Sequence, residues 1–248
     1  YAFSENFVLS LSHDEVVHLK GALIEKVSGD WWQKFATMRL LFGYMWAHPG
    51  KKLLFMGGEF GQWREWSEAR QLDWHLMVWE THQGMQRWMS DLNAFYKANP
   101  SLWELDFDGA GFQWVNADDA DNSVYSFIRY AENKEDFVVV ICNFTPVPRS
   151  NYRIGVPRLG MYREVLNSDA VPYGGGNVTN PDPIDAEDYR HLWWDTSLKL
   201  TLPPLGIVIL KPDAKPMVEA PHAGETASGF GLIDLPAPSM DSNAGQVG

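Results

Sequence analysis

Residues 7–18 read FVLSLSHDEVVH, and this stretch decides the fold of the first part of the chain. The apolar run predicts a buried β-strand over 6–12, and an ionisable cluster that starts at His13 follows it directly. Parallel α/β folds carry their reacting groups where the strands end, at the carboxyl edge of the sheet. The pattern therefore predicts an enzyme-like α/β region with its chemistry at His13 and Asp14.

Outward from this strand, the sequence predicts two helices and a second strand. Apolar residues recur at helical spacing over 31–46 and stop before the helix-breaking pair Pro49-Gly50. A short buried strand over 52–56 follows, then a long Trp-rich loop, then a second amphipathic stripe over 85–96. Strand, helix, strand and helix with apolar strands predict parallel strands covered by helices.

The periodicity changes after residue 100. Seven short β-rich runs are separated by Gly, Pro, Asn and Asp, namely 112–115, 124–129, 137–143, 152–154, 162–166, 197–202 and 207–210. They predict an antiparallel β-sandwich that folds as its own module. From 213 onward small residues and proline dominate, which predicts a disordered tail. The expected organisation is therefore 1–100, 101–212 and 213–248.

Composition limits the classes of partner. A formal net charge of −12 disfavours nucleic acid and anionic membrane surfaces, and no apolar run reaches membrane-spanning length. One cysteine, Cys142, allows no internal disulfide and favours a reducing, cytoplasmic location. It lies in an apolar strand and is expected to be an inert buried thiol. The 12 tryptophans include candidates for stacking on an uncharged sugar.

Several kinds of site are disfavoured by spacing. His13 and His18 are five apart, whereas a helical metal pair needs four. Glu15 and His18 have the Glu-x-x-His spacing of di-iron helices, but that motif needs a helical bundle. The glycines over 174–176 lack the Lys-Ser or Lys-Thr of a phosphate loop, and no Gly-x-Ser-x-Gly elbow occurs. We predict neither a metal nor a cofactor.

The kind of site that remains after these exclusions is a carboxylate beside an imidazole at the end of a strand. Glycosyl transfer passes through an oxocarbenium-like transition state, which a carboxylate stabilises and which strengthens hydrogen bonds to sugar hydroxyls. Asp14 would supply the charge and His13 the hydroxyl contact. The alternative is that His13 and Asp14 only cap the following turn, and the spacing leaves both interpretations open.

Longer runs of sequence carry a resemblance. They read SENFVL (4–9), LSHDEVVH (11–18), WQKFA (32–36), MWAHPGKKLLFMGGEFGQWREW (45–66), LDWHL (72–76), ELDFD (104–108), NFTPVPR (143–149) and LTLPPL (200–205). With them, residues 1–212 resemble the C-terminal part of the bacterial 1,4-α-glucan branching enzymes, in the α-amylase superfamily. The resemblance implies that 1–100 are the last two β/α units of a (β/α)8 TIM barrel. It also implies an all-β C-terminal domain over 101–212.

The resemblance also implies roles for residues. Asp14 matches the third catalytic carboxylate, which holds and distorts the sugar at the cleaved bond, and His13 matches the histidine that bonds its hydroxyls. Glu15 is expected to support them. Glu59 would orient loops at the barrel mouth or serve a structural purpose, and Trp63 lies in the most specific matching run and is expected to contact substrate.

In this family a retaining double displacement moves an α-1,4-linked chain to a 6-hydroxyl. Its aspartate nucleophile and glutamate acid lie on earlier strands, and no segment here matches either of them. The resemblance therefore implies an α-glucan substrate, a partner in the remaining N-terminal part of the barrel, and no activity of this chain alone. One departure stands out, because the family usually has Gly where this chain has Leu19, which predicts an altered loop.

Two other functions stay open. A hydrolytic relative, such as a maltooligosyl-trehalose hydrolase or an amylase, would release reducing ends without forming branches. A non-catalytic glucan-binding module would use exposed tryptophans as sugar platforms. Trp114 is the candidate platform, because it alternates with Phe112 and Val115 along a strand, although a core position is the alternative.

Overall fold

A parallel pair of strands and a connecting helix begin the fold. In the computed structural model, which describes residue 3 and residues 5–214, strand β1 spans Val8–Leu11 and strand β2 spans Lys51–Leu54. They pair in parallel, with Val8 beside Lys51, and helix α1, Trp31–Ala47, connects them. The predicted parallel strand–helix–strand unit is confirmed. Of the disordered tail predicted over 213–248, the part from 215 onward lies outside the described residues, whereas the Asp213 amide donates to the Met161 carbonyl oxygen at 2.8 Å.

Local sequence signals determine where α1 begins and where α2 ends. The Asp30 carboxylate accepts a hydrogen bond from the Gln33 amide at 2.9 Å, and the Gln33 side chain accepts one from the Asp30 amide at 3.0 Å. This capping box satisfies two free donors of the first turn of α1. Helix α2, Glu80–Ala98, ends at Asn99 because Pro100 cannot continue it.

The prediction that both early strands are fully buried is wrong. Val8 and Leu53 lie on an exposed face of the parallel pair. Leu9, Leu11 and Leu54 lie on the opposite face and pack against the core formed by the helices. Within the described residues the helices cover only one face of these strands. The prediction failed because a continuous apolar run looks the same whether one face or both faces are covered.

The rest of the described chain is antiparallel β-structure. A six-stranded sheet has the order β3-β4-β5-β10-β7-β8, and β6 pairs with β9 in a second sheet. The strands are β3 (Phe112–Asp119), β4 (Val124–Tyr130), β5 (Phe137–Asn143), β6 (Arg149–Val156), β7 (Met161–Asn167), β8 (Ile184–Asp185), β9 (Thr196–Leu202) and β10 (Gly206–Pro212). All seven predicted strands are present. Only β8 was not predicted, because a strand of two residues is too short to show an alternation of apolar and polar side chains.

The six-stranded sheet is buried on both faces. Val138, Val140 and Cys142 point to the helices, and Val139 and Ile141 point to the β6–β9 sheet. The helices, the six-stranded sheet and the β6–β9 sheet therefore form three successive layers, with a hydrophobic core on each face of the six-stranded sheet. The prediction that Cys142 is buried is confirmed, and burial raises the pKa of its thiol above the ordinary value.

The helices and the large sheet share a continuous core. A Cβ built on Gly43 of α1 would lie 2.5 Å from Ile207 Cγ2 of β10, so only glycine permits this approach. The described residues form one compact unit. The domain boundary predicted near residue 100 stays a prediction. One hydrophobic core contains residues from both sides of it.

A buried ion pair stabilises the contact between the helices and the six-stranded sheet. Arg129 and Asp106 are 0% and 1% exposed, and Arg129 Nη2 lies 3.0 Å from Asp106 Oδ1. The guanidinium also donates to the carbonyl oxygens of Ala47 at 2.7 Å and Leu102 at 3.0 Å. Lys51 Nζ reaches the second Asp106 oxygen at 3.1 Å. The pair thus connects β4 to the end of α1 and the start of β2.

Candidate functional site

The chain turns sharply where β1 ends. Ser12 caps a 3-10 turn over His13–Glu15, because its hydroxyl accepts from the Asp14 amide at 3.2 Å and donates to the Glu15 carboxylate at 3.1 Å. The cap is therefore Ser12, and neither the His13 nor the Asp14 side chain is used for it. The alternative in which His13 and Asp14 only cap the turn finds no support in this geometry.

The Asp14 carboxylate is open to solvent at the carboxyl edge of the parallel pair. Its side chain is 69% exposed and that of His13 is 60% exposed, with 3.4 Å between His13 Nε2 and Asp14 Oδ1. The His13 ring packs on Phe55, which follows β2, at 6.0 Å between centroids. An aromatic wall beside an accessible carboxylate and an imidazole can receive a sugar ring and stabilise positive charge on it.

An open groove surrounds His13, which we call the His13 groove. Its lining residues are His13, Val17, His18, Leu19, Glu65, Trp66, Ser67, Glu68 and Arg70. Sequence reasoning missed Glu65, which lines the groove and binds the loop after His18. Its carboxylate accepts from the Leu19 amide at 3.0 Å and the Gly21 amide at 2.8 Å, and these bonds lower the pKa of Glu65. The only sequence signal was a charge inside the Trp-rich loop.

The structure separates the other candidate residues from this groove. Glu59 accepts from the Gly57 amide at 2.6 Å and lines another groove, along α2. Trp63 stacks on Trp31 at 4.9 Å between centroids. Trp114 lies on β3, 38% exposed. Of the six candidates, His13 alone lines this groove, and Asp14 and Glu15 follow it in the same 3-10 turn.

The loop after His18 has strained backbone. Leu19 has φ +66° and His18 has φ +58°, both in the left-handed region. A leucine there carries a steric cost of about 1–2 kcal/mol, and its side chain is 98% exposed, so packing does not repay the cost. The loop keeps this shape because Glu65 holds two of its amides.

We expect Leu19→Gly to raise the free energy of unfolding by about 0.5–1 kcal/mol, because glycine adopts this conformation without strain but loses more entropy on folding. Urea titration measures the change. Leu19→Ala is the control, since it removes the exposed apolar atoms but keeps the Cβ that causes the strain. An equal gain from Leu19→Ala would contradict the backbone explanation.

Two further properties concern the described residues alone. Across residues 3 and 5–214, no three His, Cys, Asp or Glu side chains are arranged to hold a metal ion. No helix in that part of the chain is both long enough and apolar enough to cross a bilayer.

Comparisons with known proteins agree with the fold. The family described as alpha amylase, C-terminal all-beta domain, matches residues 114–213. The 1,4-alpha-glucan branching enzyme GlgB of Aquifex aeolicus is 54% identical over 211 residues, covering 85% of this chain and 34% of the relative. GlgB of Aromatoleum aromaticum is 56% identical over 222 residues, covering 87% and 34%. This chain thus spans about a third of their length.

A solved structure shows the same fold at low identity. AmyP in complex with maltose superposes with a TM-score of 0.52 at 13% identity, covering 76% of this chain and 37% of that one. At this identity the likeness concerns the fold alone.

Proposed function

We propose that this chain, which matches the C-terminal part of the 1,4-alpha-glucan branching enzymes, belongs to that family and supplies one side of a glucan-transferring site. Asp14 is the group that acts on the sugar. The observation that carries the proposal is the open Asp14 carboxylate, paired only with His13 among the described residues, at the carboxyl edge of β1.

We propose further that residues 1–100 are the last two β/α units of a (β/α)8 barrel. The order β1, α1, β2, α2 and the parallel pairing support this. The exposed face of the pair, with Val8 and Leu53, would then face the barrel interior, where side chains from other strands fill the space. The remaining strands of the barrel would then cover this face. We propose the cytoplasm as the location of the protein.

The proposed reaction is a retaining double displacement on an α-1,4-glucan. An aspartate outside the matched segments attacks the anomeric carbon, the bond to the 4-oxygen breaks, and a glutamate protonates that oxygen. The 6-hydroxyl of a glucan then attacks the covalent intermediate, gives up its proton to the glutamate, and releases the aspartate. Asp14 stabilises the positive charge of both transition states, and His13 holds a sugar hydroxyl.

Product analysis tests this proposal. We expect the protein in which this chain completes the barrel to convert amylose into a glucan with α-1,6 linkages, detected by proton NMR and by debranching. The chain of 248 residues alone is expected to form none, because it matches neither the nucleophile nor the acid motif. Release of reducing ends without α-1,6 linkages would show a hydrolytic relative and sink the branching proposal.

A second function, glucan binding by the β-domain, has one observation in its favour. Trp114 is partly exposed on the surface, with its ring 6.4 Å from that of Tyr125, and Phe144 continues the aromatic patch 5.3 Å from Tyr125. Aromatic faces of this kind stack on the C–H face of sugars.

We expect Trp114→Ala to weaken glycogen binding about two- to tenfold, which corresponds to about 0.5–1.5 kcal/mol for one aromatic contact. Affinity electrophoresis on glycogen measures it, and circular dichroism checks the fold. Trp193→Ala removes an exposed tryptophan from another part of the β-domain and should leave the affinity unchanged. Equal effects of the two substitutions would reject Trp114 as a specific platform.

A further inference from the structure

The loop that follows β2 holds the loop that follows β1. Glu65 belongs to the loop after β2, and its carboxylate accepts from the Leu19 amide through Oε1 at 3.0 Å and from the Gly21 amide through Oε2 at 2.8 Å. These amides lie 46 and 44 residues earlier in the chain. Hydrogen bonds to an ionised carboxylate are roughly twice as strong as those between neutral groups. The two bonds therefore connect the two loops firmly.

The segment that Glu65 holds connects directly to Asp14. Lys20 lies between the two bound amides, and its Nζ donates to the Asp14 carbonyl oxygen at 2.7 Å. A second contact involves Val16, the residue that ends the 3-10 turn, because its carbonyl oxygen accepts from the Trp66 amide at 3.1 Å. Two consecutive residues of the loop after β2 thus hold the chain just after Asp14 at two places.

The held segment needs this support because its own backbone is strained. The left-handed conformation of His18 and Leu19 is unfavourable for side chains with a Cβ, and the exposed Leu19 side chain adds no packing to offset it. Without the bonds to Glu65 the segment is free to relax, and Lys20 loses the position from which it reaches Asp14. The Asp14 side chain is largely exposed, so the position of its backbone decides where the carboxylate lies.

We propose that Glu65 is a positioning residue for the reaction, which holds the Asp14 carboxylate at the place where it can act on the sugar. Glu65 does so through the loop after His18 and through Lys20, without touching the sugar itself. This inference rests on the proposed function, from which it takes the role of Asp14. Misplacement of a catalytic group by about 1 Å can cost about 10²-fold in rate, so the bonds of one distant carboxylate matter for the reaction.

Steady-state kinetics of the protein with the complete barrel test this role. We expect Glu65→Gln to lower kcat for branching about tenfold and to change KM less than about twofold. Glutamine keeps one acceptor oxygen but turns a donor toward the second amide. The assays are run at a temperature at which circular dichroism shows every variant to be folded, so that lost stability does not enter the rate.

Glu104→Gln is the matched control for this substitution. The Glu104 carboxylate also accepts from a backbone amide, that of Glu132 at 3.0 Å, and it does not line the His13 groove. The chemical change is the same, but the amide belongs to a segment far along the chain from Asp14. Glu104→Gln should therefore keep both kcat and KM.

A rescue variant separates positioning from direct contact with the sugar. Leu19→Gly in the Glu65→Gln background should recover about threefold of the lost kcat, because glycine adopts the left-handed backbone at position 19 without the strain that Glu65 otherwise restrains. No recovery would overturn the route through this loop. A rise in KM with kcat kept would also overturn the proposal, because Glu65 would then be a contact to the sugar.

A second readout does not depend on catalysis. In the 248-residue chain, the amide proton resonances of Leu19 and Gly21 should move upfield in Glu65→Gln, because both amides lose their ionised acceptor. They should stay in place in Glu104→Gln. Unmoved resonances in Glu65→Gln would overturn the proposal, since the two loops would then not be connected through this carboxylate.

The outcomes separate this proposal from the proposed function. If the complete enzyme releases reducing ends and makes no α-1,6 linkages, the branching function fails, whereas a tenfold lower kcat of hydrolysis in Glu65→Gln still supports the positioning role. If α-1,6 linkages form at the full rate in Glu65→Gln, only the positioning role fails.

Discussion

Arg129→Met is expected to lower the free energy of unfolding by about 3–5 kcal/mol, the usual cost of removing one member of a buried ion pair. Asp106 would stay buried with one cation fewer, and the carbonyl oxygens of Ala47 and Leu102 would lose their donor. Urea titration followed by circular dichroism measures the loss. Because the pair connects β4 to α1, helix and sheet signals should disappear together.

Two further variants serve as controls for this experiment. Arg163→Met removes an exposed arginine paired with Asp213 and should cost less than about 1 kcal/mol. Arg129→Met combined with Asp106→Leu should recover part of the lost stability, since an apolar pair carries no uncompensated charge. A loss in Arg129→Met no larger than that in Arg163→Met would contradict the role of the pair.

Asp14→Asn is expected to lower kcat for branching about 10²- to 10³-fold in the protein with the complete barrel, the range seen when one transition-state stabilising group is removed. The thermal midpoint should stay unchanged, because the only side-chain partner of this carboxylate among the described residues is His13. KM should change far less than kcat, since the charge acts on the transition state.

Asp118→Asn is the matched control, because Asp118 is an exposed carboxylate on β3. It should keep both kcat and stability. A loss of stability in Asp14→Asn that accounts for the loss of rate would mean that Asp14 supports the fold rather than the reaction.

Local periodicity was sufficient to predict most of the elements. The helical stripe over 31–46 and the alternation in runs such as 197–202 survive in α1 and β9 because each pattern reports which side chains meet a core. Burial of β1 and β2 was not predictable in the same way. An apolar run does not say whether one or two faces are covered.

Long-range contacts explain the remaining differences at the site. His13 and Asp14 were found from sequence because they follow a strand directly, and the turn that positions them is local. Glu65 lies 44 residues from Gly21, whose amide it holds, and no pattern along the chain indicates such a pairing. The contacts between α1 and α2 were not predictable for the same reason, since the two helices meet only in the folded chain.

A crystal structure of the protein with the complete barrel and bound maltoheptaose is the direct test of the role of Asp14. We expect a glucose ring beside the carboxyl end of β1, with an Asp14 carboxylate oxygen about 3 Å from a sugar hydroxyl. A glucan bound across the barrel mouth without contact to Asp14 or His13 would contradict it.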